Sequence, residues 1–370
     1  VKQIRLVTAV AFLLAAAASA TVFQPTSDRQ LTDRSDAVVV ATVREAASRV
    51  RADGYVVTDY RLDIEQTLKG TATGTITVSE IGGGAGGRFT FIADAATYTP
   101  GERVMVFLRK RTDGTYFTTS MAMGKFSFTR DARGEAVVTR EVSELRDDPA
   151  RFADGFAAFV SGHATHVNTT TIAPLQLRPR STATASDYVL TGCGTPGCFP
   201  VRIQGGEAGG GLTFRSHNTS TIAGVDAPGA ITAAAATWTN DPNSGIVLSY
   251  SSAAATNATH TEDGESVFYI GTSEPDDGFC DGAFACTVGL GNFTHHYPSP
   301  SGPEFISISE ADILIRPIVS ASQFQAFITH EMGHAIGLRH SDQGTPSSSQ
   351  AVMFSNVSQT SLQQWDLDAV

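Results

Sequence analysis

Residues 330–341 read His330-Glu331-Met332-Gly333-His334-Ala335-Ile336-Gly337-Leu338-Arg339-His340-Ser341. His330 and His334 are four residues apart, so on a helix both imidazoles leave one face and can grip one ion. Gly337 can adopt a positive φ and end that helix in a sharp turn. Three residues later His340 can swing back as a third nitrogen ligand. Three protein ligands leave the fourth position of a tetrahedral Zn2+ open to water, which separates a catalytic site from a closed structural one. Glu331 sits about 100° round the helix from His330. There it can act as general base towards that water and pass the proton to a leaving amine.

His330, Glu331, His334, Gly337 and His340 together resemble the extended zinc signature of the metzincin metallopeptidases. That family also carries a methionine in a tight turn beneath the metal. Met353, within Ala351-Val352-Met353-Phe354-Ser355, is the matching candidate. Ser341, directly after the third histidine, makes the chain most similar to the matrixins. The resemblance spans about residues 199–370 and implies a zinc metalloendopeptidase acting on a protein or peptide substrate. It implies helix 227–240 as the first long helix, 322–338 as the active-site helix, and a last helix beginning near 362. It also implies an antiparallel edge strand, 286–292, on which a substrate lies by strand addition. Matrixins often hold a structural zinc and calcium in a His/Asp-rich segment. His295, His296, Asp276, Asp277, Asp281 and Asp312 lie in that neighbourhood without matching the family pattern. Ca2+ is therefore not assigned, and these residues are expected to be solvated loop residues.

The remainder of the chain sets the context. It has 370 residues and a formal charge of -11, with only 17% charged residues. An acidic chain lacks the basic face that nucleic-acid binding requires. Lys2 and Arg5, an apolar run from Leu6 to Ala18, and Ala18-Ser19-Ala20 read as a secretory signal peptide cleaved after Ala20. The run is too short for a membrane span, which needs about 20 apolar residues. The expected location is secreted, or at least outside the cytoplasm, with no membrane span. Oligomeric state is not legible.

Residues 21–161 read as a first, mostly β domain, either a barrel or a sandwich. Short β-branched and aromatic runs at 37–43, 55–64, 74–81, 103–109, 115–119, 125–130 and 136–139 are separated by turns. Residues 148–161 read as one helix. Gly82 to Gly87 lack the Gly-Lys-Ser/Thr that a phosphate-binding loop needs, and read as a plain flexible loop. Residues 162–198, rich in Thr, Ser, Ala and Pro, read as a linker. In 199–370, strands are expected at 201–204, 246–251, 266–270, 287–293 and 311–316. The fold class is thus α+β: a metzincin-like domain with a mixed twisted sheet, two long helices and a C-terminal helix, preceded by the β domain.

An oxidising compartment favours disulfides. Cys193 with Cys198 and Cys280 with Cys286 are the simplest pairing, although four cysteines permit three connectivities. Cys193-Gly-Thr-Pro-Gly197 also resembles the matrixin propeptide segment whose thiolate occupies the zinc's fourth position. A 193–198 disulfide would abolish that role. The β domain is thus either a propeptide or a binding module that stays attached. Two other functional readings stand beside the peptidase. One is a non-catalytic binding protein that keeps a peptidase-like domain. The other is a carbohydrate- or surface-binding β domain with an auxiliary peptidase.

Overall fold

A computed structural model of the chain describes residues 24, 26–140, 142, 148–170, 201–203, 211–218, 221–241, 245–257, 262–271, 280–299, 302–341, 348–355 and 358–369. The signal segment, most of the expected linker, Cys193, Cys198, Asp276 and Asp277 lie outside the described residues.

The first half contains α1 (Asp28–Arg34), β1 (Ala37–Val50), β2 (Val56–Lys69), β3 (Thr75–Ile81), β4 (Gly83–Ala85), β5 (Arg88–Ile92) and β6 (Arg103–Lys110). There follow β7 (Tyr116–Thr118), β8 (Lys125–Arg130), β9 (Ala136–Thr139), β10 (Ala150–Phe152), α2 (Ala153–Val160) and β11 (Thr169–Thr170). The second half contains β12 (Val201–Ile203), β13 (Gly211–Asn218), α3 (Ala227–Thr239), β14 (Val247–Ala254) and β15 (Ser266–Ile270). It ends with β16 (Ala285–Ser299), β17 (Gly302–Ile315), α4 (Ala321–Ala335) and α5 (Gln364–Ala369). The result is a strand-rich α+β molecule.

Nine strands follow the order β1-β2-β3-β7-β6-β8-β9-β10-β11. A further pairing of β1 with β6 closes β1, β2, β3, β7 and β6 into a five-stranded barrel. The start of β1, residues 37–41, is apolar without a break because both its faces are buried there. Val39, Ala41 and Val43 point into the barrel with Leu62, Val78 and Val106. Val38 and Val40 point outward onto Phe107, Phe126 and Phe156 beneath α2. The helix expected over 148–161 is shorter. Residues 150–152 are the strand β10, paired with β9, and Phe152 in extended conformation is the N-cap of α2.

The second sheet has the order β14-β13-β15-β17-β16-β5-β4, with β12 alongside β17. Pairings from β14 to β17 and of β12 with β17 are parallel. Strand β16 runs antiparallel to β17. Helices α3 and α4 cover one face, where Trp238, Ile231, Phe324, Phe327 and Met332 bury against Phe214, Leu248, Phe268 and Ile313. Asp226 caps α3 by accepting the Gly229 amide at 3.2 Å, and Pro228 occupies the first turn, where its missing N–H costs nothing.

Two expectations change here. Gly82 to Gly87 are not a plain loop, because residues 83–85 and 88–92 form the β4–β5 hairpin about a turn at Gly86 and Gly87, both at positive φ. Strand 286–292 is antiparallel as expected, but it is not an edge. Strand β5 pairs with it on the side away from β17, with Ile92 opposite Val288 and Arg88 opposite Asn292. Two glycines of β16 permit this. A Cβ on Gly289 would lie 2.1 Å from the Phe91 ring, and one on Gly291 2.3 Å from the Phe89 ring. Strand β13, in the middle of the parallel pairings, is an additional strand that the sequence pattern did not bring out.

The opposite face of this sheet packs on the barrel. Tyr55, Val57, Ile81, Met121 and Met123 share a core with Tyr269, Val288, Leu290, Leu314 and the Cys280–Cys286 disulfide. Asp281 and Asp312 are not solvated loop residues. Asp281 is buried and takes Arg34 at 2.7 Å, Arg109 at 3.2 Å and the Ser120 amide at 2.6 Å. Asp312 is buried too, accepting the Val267 amide at 2.9 Å and the Tyr55 hydroxyl at 3.3 Å. A carboxylate with two cations or several donors is already satisfied, so neither needs an ion.

Candidate metal centre

Helix α4 carries His330, Glu331 and His334 on turns that are wholly buried. It ends after Ala335. Gly337, at φ +101°, donates its amide to His334 O at 2.9 Å, and the Leu338 amide bonds to Gly333 O at 3.0 Å. These two bonds are the Schellman closure that satisfies the helix's last carbonyls. A Cβ on Gly337 would sit 2.2 Å from Val201 O, so the turn excludes any side chain. The reversal returns the chain so that His340 faces the helix.

The three expected ligands meet. Nε2 of His330 lies 3.1 Å from Nε2 of His334, which lies 3.2 Å from Nε2 of His340. Tetrahedral bonds of about 2.05 Å put ligand nitrogens roughly 3.3 Å apart, so the spacing fits one transition-metal ion. The remaining ring nitrogens set the tautomers. His330 Nδ1 donates to Val352 O and His334 Nδ1 to Leu338 O, each at 2.7 Å. With those protons placed, both Nε2 lone pairs are directed at the common centre. Burial lowers the His330 pKa to about 4 and holds those of His334 and His340 well below the ordinary value, so all three are neutral, as ligation requires. Among the described residues this trio is the group able to hold a metal ion.

Met353 lies fully buried against α4 at Gly333. Gly333 makes the approach possible, since a Cβ there would lie 2.1 Å from the Met353 sulfur. The turn around Met353 is tied at both ends. Its carbonyl accepts the Ser341 amide at 2.7 Å. The Asp366 carboxylate from α5 accepts the amides of Val352 at 2.8 Å, Met353 at 3.1 Å and Gln363 at 2.9 Å. Val352 O is the acceptor for His330, so α5 reaches the metal centre through a single peptide unit.

Glu331 is buried. Its Oε2 accepts the Thr287 hydroxyl of β16 at 2.6 Å, while Oε1 has no hydrogen bond among the described residues. Burial raises the Glu331 pKa to about 8; the Thr287 hydrogen bond opposes that rise and the charge of Asp94 adds to it. Asp94 belongs to the first half of the chain. Its Oδ2 lies 3.4 Å from Nδ1 of His340.

Sequence reasoning thus placed all three histidines, Glu331 and Met353, and the structure brings them together. It missed Thr287, Asp366 and Asp94. None belongs to a spacing motif: each reaches the centre from another element, across 44, 14 and 246 residues from Glu331, Val352 and His340 respectively. The expected Cys280–Cys286 disulfide is formed, with Cα atoms 5.8 Å apart. No helix among the described residues is long and apolar enough to cross a membrane. No family model, curated protein or solved structure matches the chain.

Proposed function

We infer that the chain is a secreted zinc endopeptidase of the metzincin kind. The observation that carries this is the convergence of three neutral, buried imidazoles on one point with a carboxylic side chain next in sequence to the first of them. A structural site would be closed by a fourth protein ligand; here three histidines form the ligand group among the described residues. His330, His334 and His340 would hold the ion, which when bound supplies Lewis acidity at a scissile carbonyl and a lowered pKa for water. Three imidazoles suit zinc, although other first-row metals accept the same donors.

The chain's own residues do the rest. Glu331 takes the proton from the attacking water through Oε1 and returns it to the leaving amine, and Thr287 holds the opposite carboxylate oxygen so that the base cannot rotate away.

The test is metal analysis together with digestion of a peptide library. The library is presented to the intact chain and to chain nicked by a serine protease that is then inhibited. One zinc per chain and cleavage abolished by a chelator and by Glu331→Ala are expected. A chain that binds zinc but leaves every peptide intact in both forms would leave a binding protein as the better account.

A further inference from the structure

The outer nitrogens of the three histidines are not held alike. His330 Nδ1 donates to Val352 O and His334 Nδ1 to Leu338 O, each at 2.7 Å. Both carbonyls belong to the half of the chain that carries the histidines. His340 faces a different kind of group from a different place. Its Nδ1 lies 3.4 Å from Oδ2 of Asp94, a carboxylate of the first half. Both side chains are nearly closed to solvent, His340 at 1% exposure and Asp94 at 10%, so the charge between them is weakly screened. Asp94 reaches this place through a tied turn. Strand β5 runs along β16 as far as Ile92, opposite Val288. The Ala95 amide then bonds to Ile92 O at 3.3 Å, and the Ala122 amide to Asp94 O at 3.3 Å. Between them Asp94 sits at φ +56°, a left-handed conformation uncommon for a residue with a Cβ.

A neutral imidazole carries one proton, and a ligand that binds through Nε2 must keep that proton on Nδ1. A carboxylate facing Nδ1 attracts an N–H and repels a lone pair. It therefore favours the tautomer in which Nε2 is free to bind. At 3.4 Å the contact is one of charge, longer than the two carbonyl hydrogen bonds. It acts from behind the ring, on the side away from the point where the Nε2 atoms converge. Resting on the metal-centre reading above, we propose that Asp94 is the outer positioning residue of His340, so that the first half of the chain contributes directly to metal affinity. The partners of His330 and His334 are neutral carbonyls. Asp94 is the anionic partner, and a carboxylate behind an imidazole raises its basicity as a ligand. His340 is then the ligand whose strength depends on the barrel half, while the other two are oriented from within their own half.

Two variants of the full chain test this, both compatible with a left-handed backbone. Asp94→Gly removes the carboxylate. Asp94→Asn keeps the shape and an accepting oxygen but not the charge. Zinc affinity is measured by competition with a chromophoric chelator. The visible spectrum of the Co2+-loaded chain reports the ligand field, since Co2+ accepts the same donors. Melting of the metal-free chain reports the fold. Asp94→Gly should bind zinc roughly ten- to hundredfold more weakly, the usual effect of losing an outer partner of a ligand. Its Co2+ spectrum should change while its metal-free melting temperature stays that of the wild type. Asp94→Asn should fall between the two in affinity. Zinc affinity in Asp94→Gly equal to that of the wild type overturns the proposal and leaves the metal centre standing. A lower metal-free melting temperature with an unchanged Co2+ spectrum also overturns it, making Asp94 a residue of the turn after β5 alone. A wild-type chain that takes up neither metal removes the metal-centre reading, and the proposal with it.

Discussion

The Thr287 hydroxyl lies 2.6 Å from Oε2 of Glu331, so a strand of the sheet, and not only the helix, aims the general base. A hydrogen bond to a charged group is worth about 1.5–3 kcal/mol. Thr287→Val keeps the shape and removes the donor. We expect kcat on a peptide to fall roughly tenfold or more, 1.4 kcal/mol being one decade, with KM little changed. Thr287→Ser should retain most of the rate. Steady-state kinetics on the intact and nicked enzyme decide this; full turnover in the valine variant would remove Thr287 from the mechanism.

Gly337→Ala should damage the centre without touching a ligand. The residue sits at φ +101°, and the added Cβ would meet Val201 O at 2.2 Å. Strained left-handed backbone costs about 1–3 kcal/mol before the clash is counted. The variant should melt several degrees lower and bind zinc at least tenfold more weakly, because His340 depends on this reversal. Competition with a chromophoric chelator measures the second effect.

Asp366 should behave as a metal-site residue although it touches no ligand. Its carboxylate satisfies three buried amides, two of them flanking the carbonyl that orients His330. Leaving buried donors unpaired costs about 1–3 kcal/mol each. Asp366→Ala should therefore lower both thermal stability and zinc affinity. Asp366→Asn, which keeps one acceptor oxygen, should recover part of each. Equal zinc affinity in wild type and alanine variant would show that the turn holds without α5.

Glu80, in the barrel, offers a pH test away from the metal. It accepts the Thr118 amide at 2.8 Å and the Thr118 hydroxyl at 2.6 Å, and burial raises its pKa to about 7. A carboxyl whose folded pKa lies above the unfolded value favours the folded state while protonated. Its contribution is complete below about pH 4.3, declines as pH rises, and is gone above about pH 7. Glu80→Gln should flatten this decline and stabilise the protein at pH 8 by about 1–3 kcal/mol, with little effect at pH 4. Urea midpoints at the two pH values provide the measurement.

The parts of the site that were legible from sequence share one property: their geometry is local. Four-residue spacing on a helix puts His330 and His334 on one face whatever surrounds them, and Gly337 encodes its own turn. The same holds for strands of the first half such as 125–130 and 136–139, whose ends match the sequence reading to the residue. Readings failed where tertiary contact overrode local pattern. Gly82 to Gly87 looked like loop because glycine has no strand propensity of its own; opposite Gly289 and Gly291 it is the missing side chains, not propensity, that let β5 settle. Asp281 and Asp312 looked solvated because charged residues are rarely buried alone, and nothing local reveals Arg34, Arg109 or Tyr55 as their partners.

By itself, then, the order of residues in 330–341 determined a metal-ligand set and its base, since helix pitch and one glycine's freedom suffice to aim them. Only the tertiary structure decided what surrounds that set: Thr287 on the carboxyl of the base, Asp366 on the amides of the methionine turn, β5 alongside β16, and Asp94 against the outer nitrogen of His340. These are contacts between elements far apart in the chain, and they follow from how two sheets share a core, which no short-range periodicity encodes.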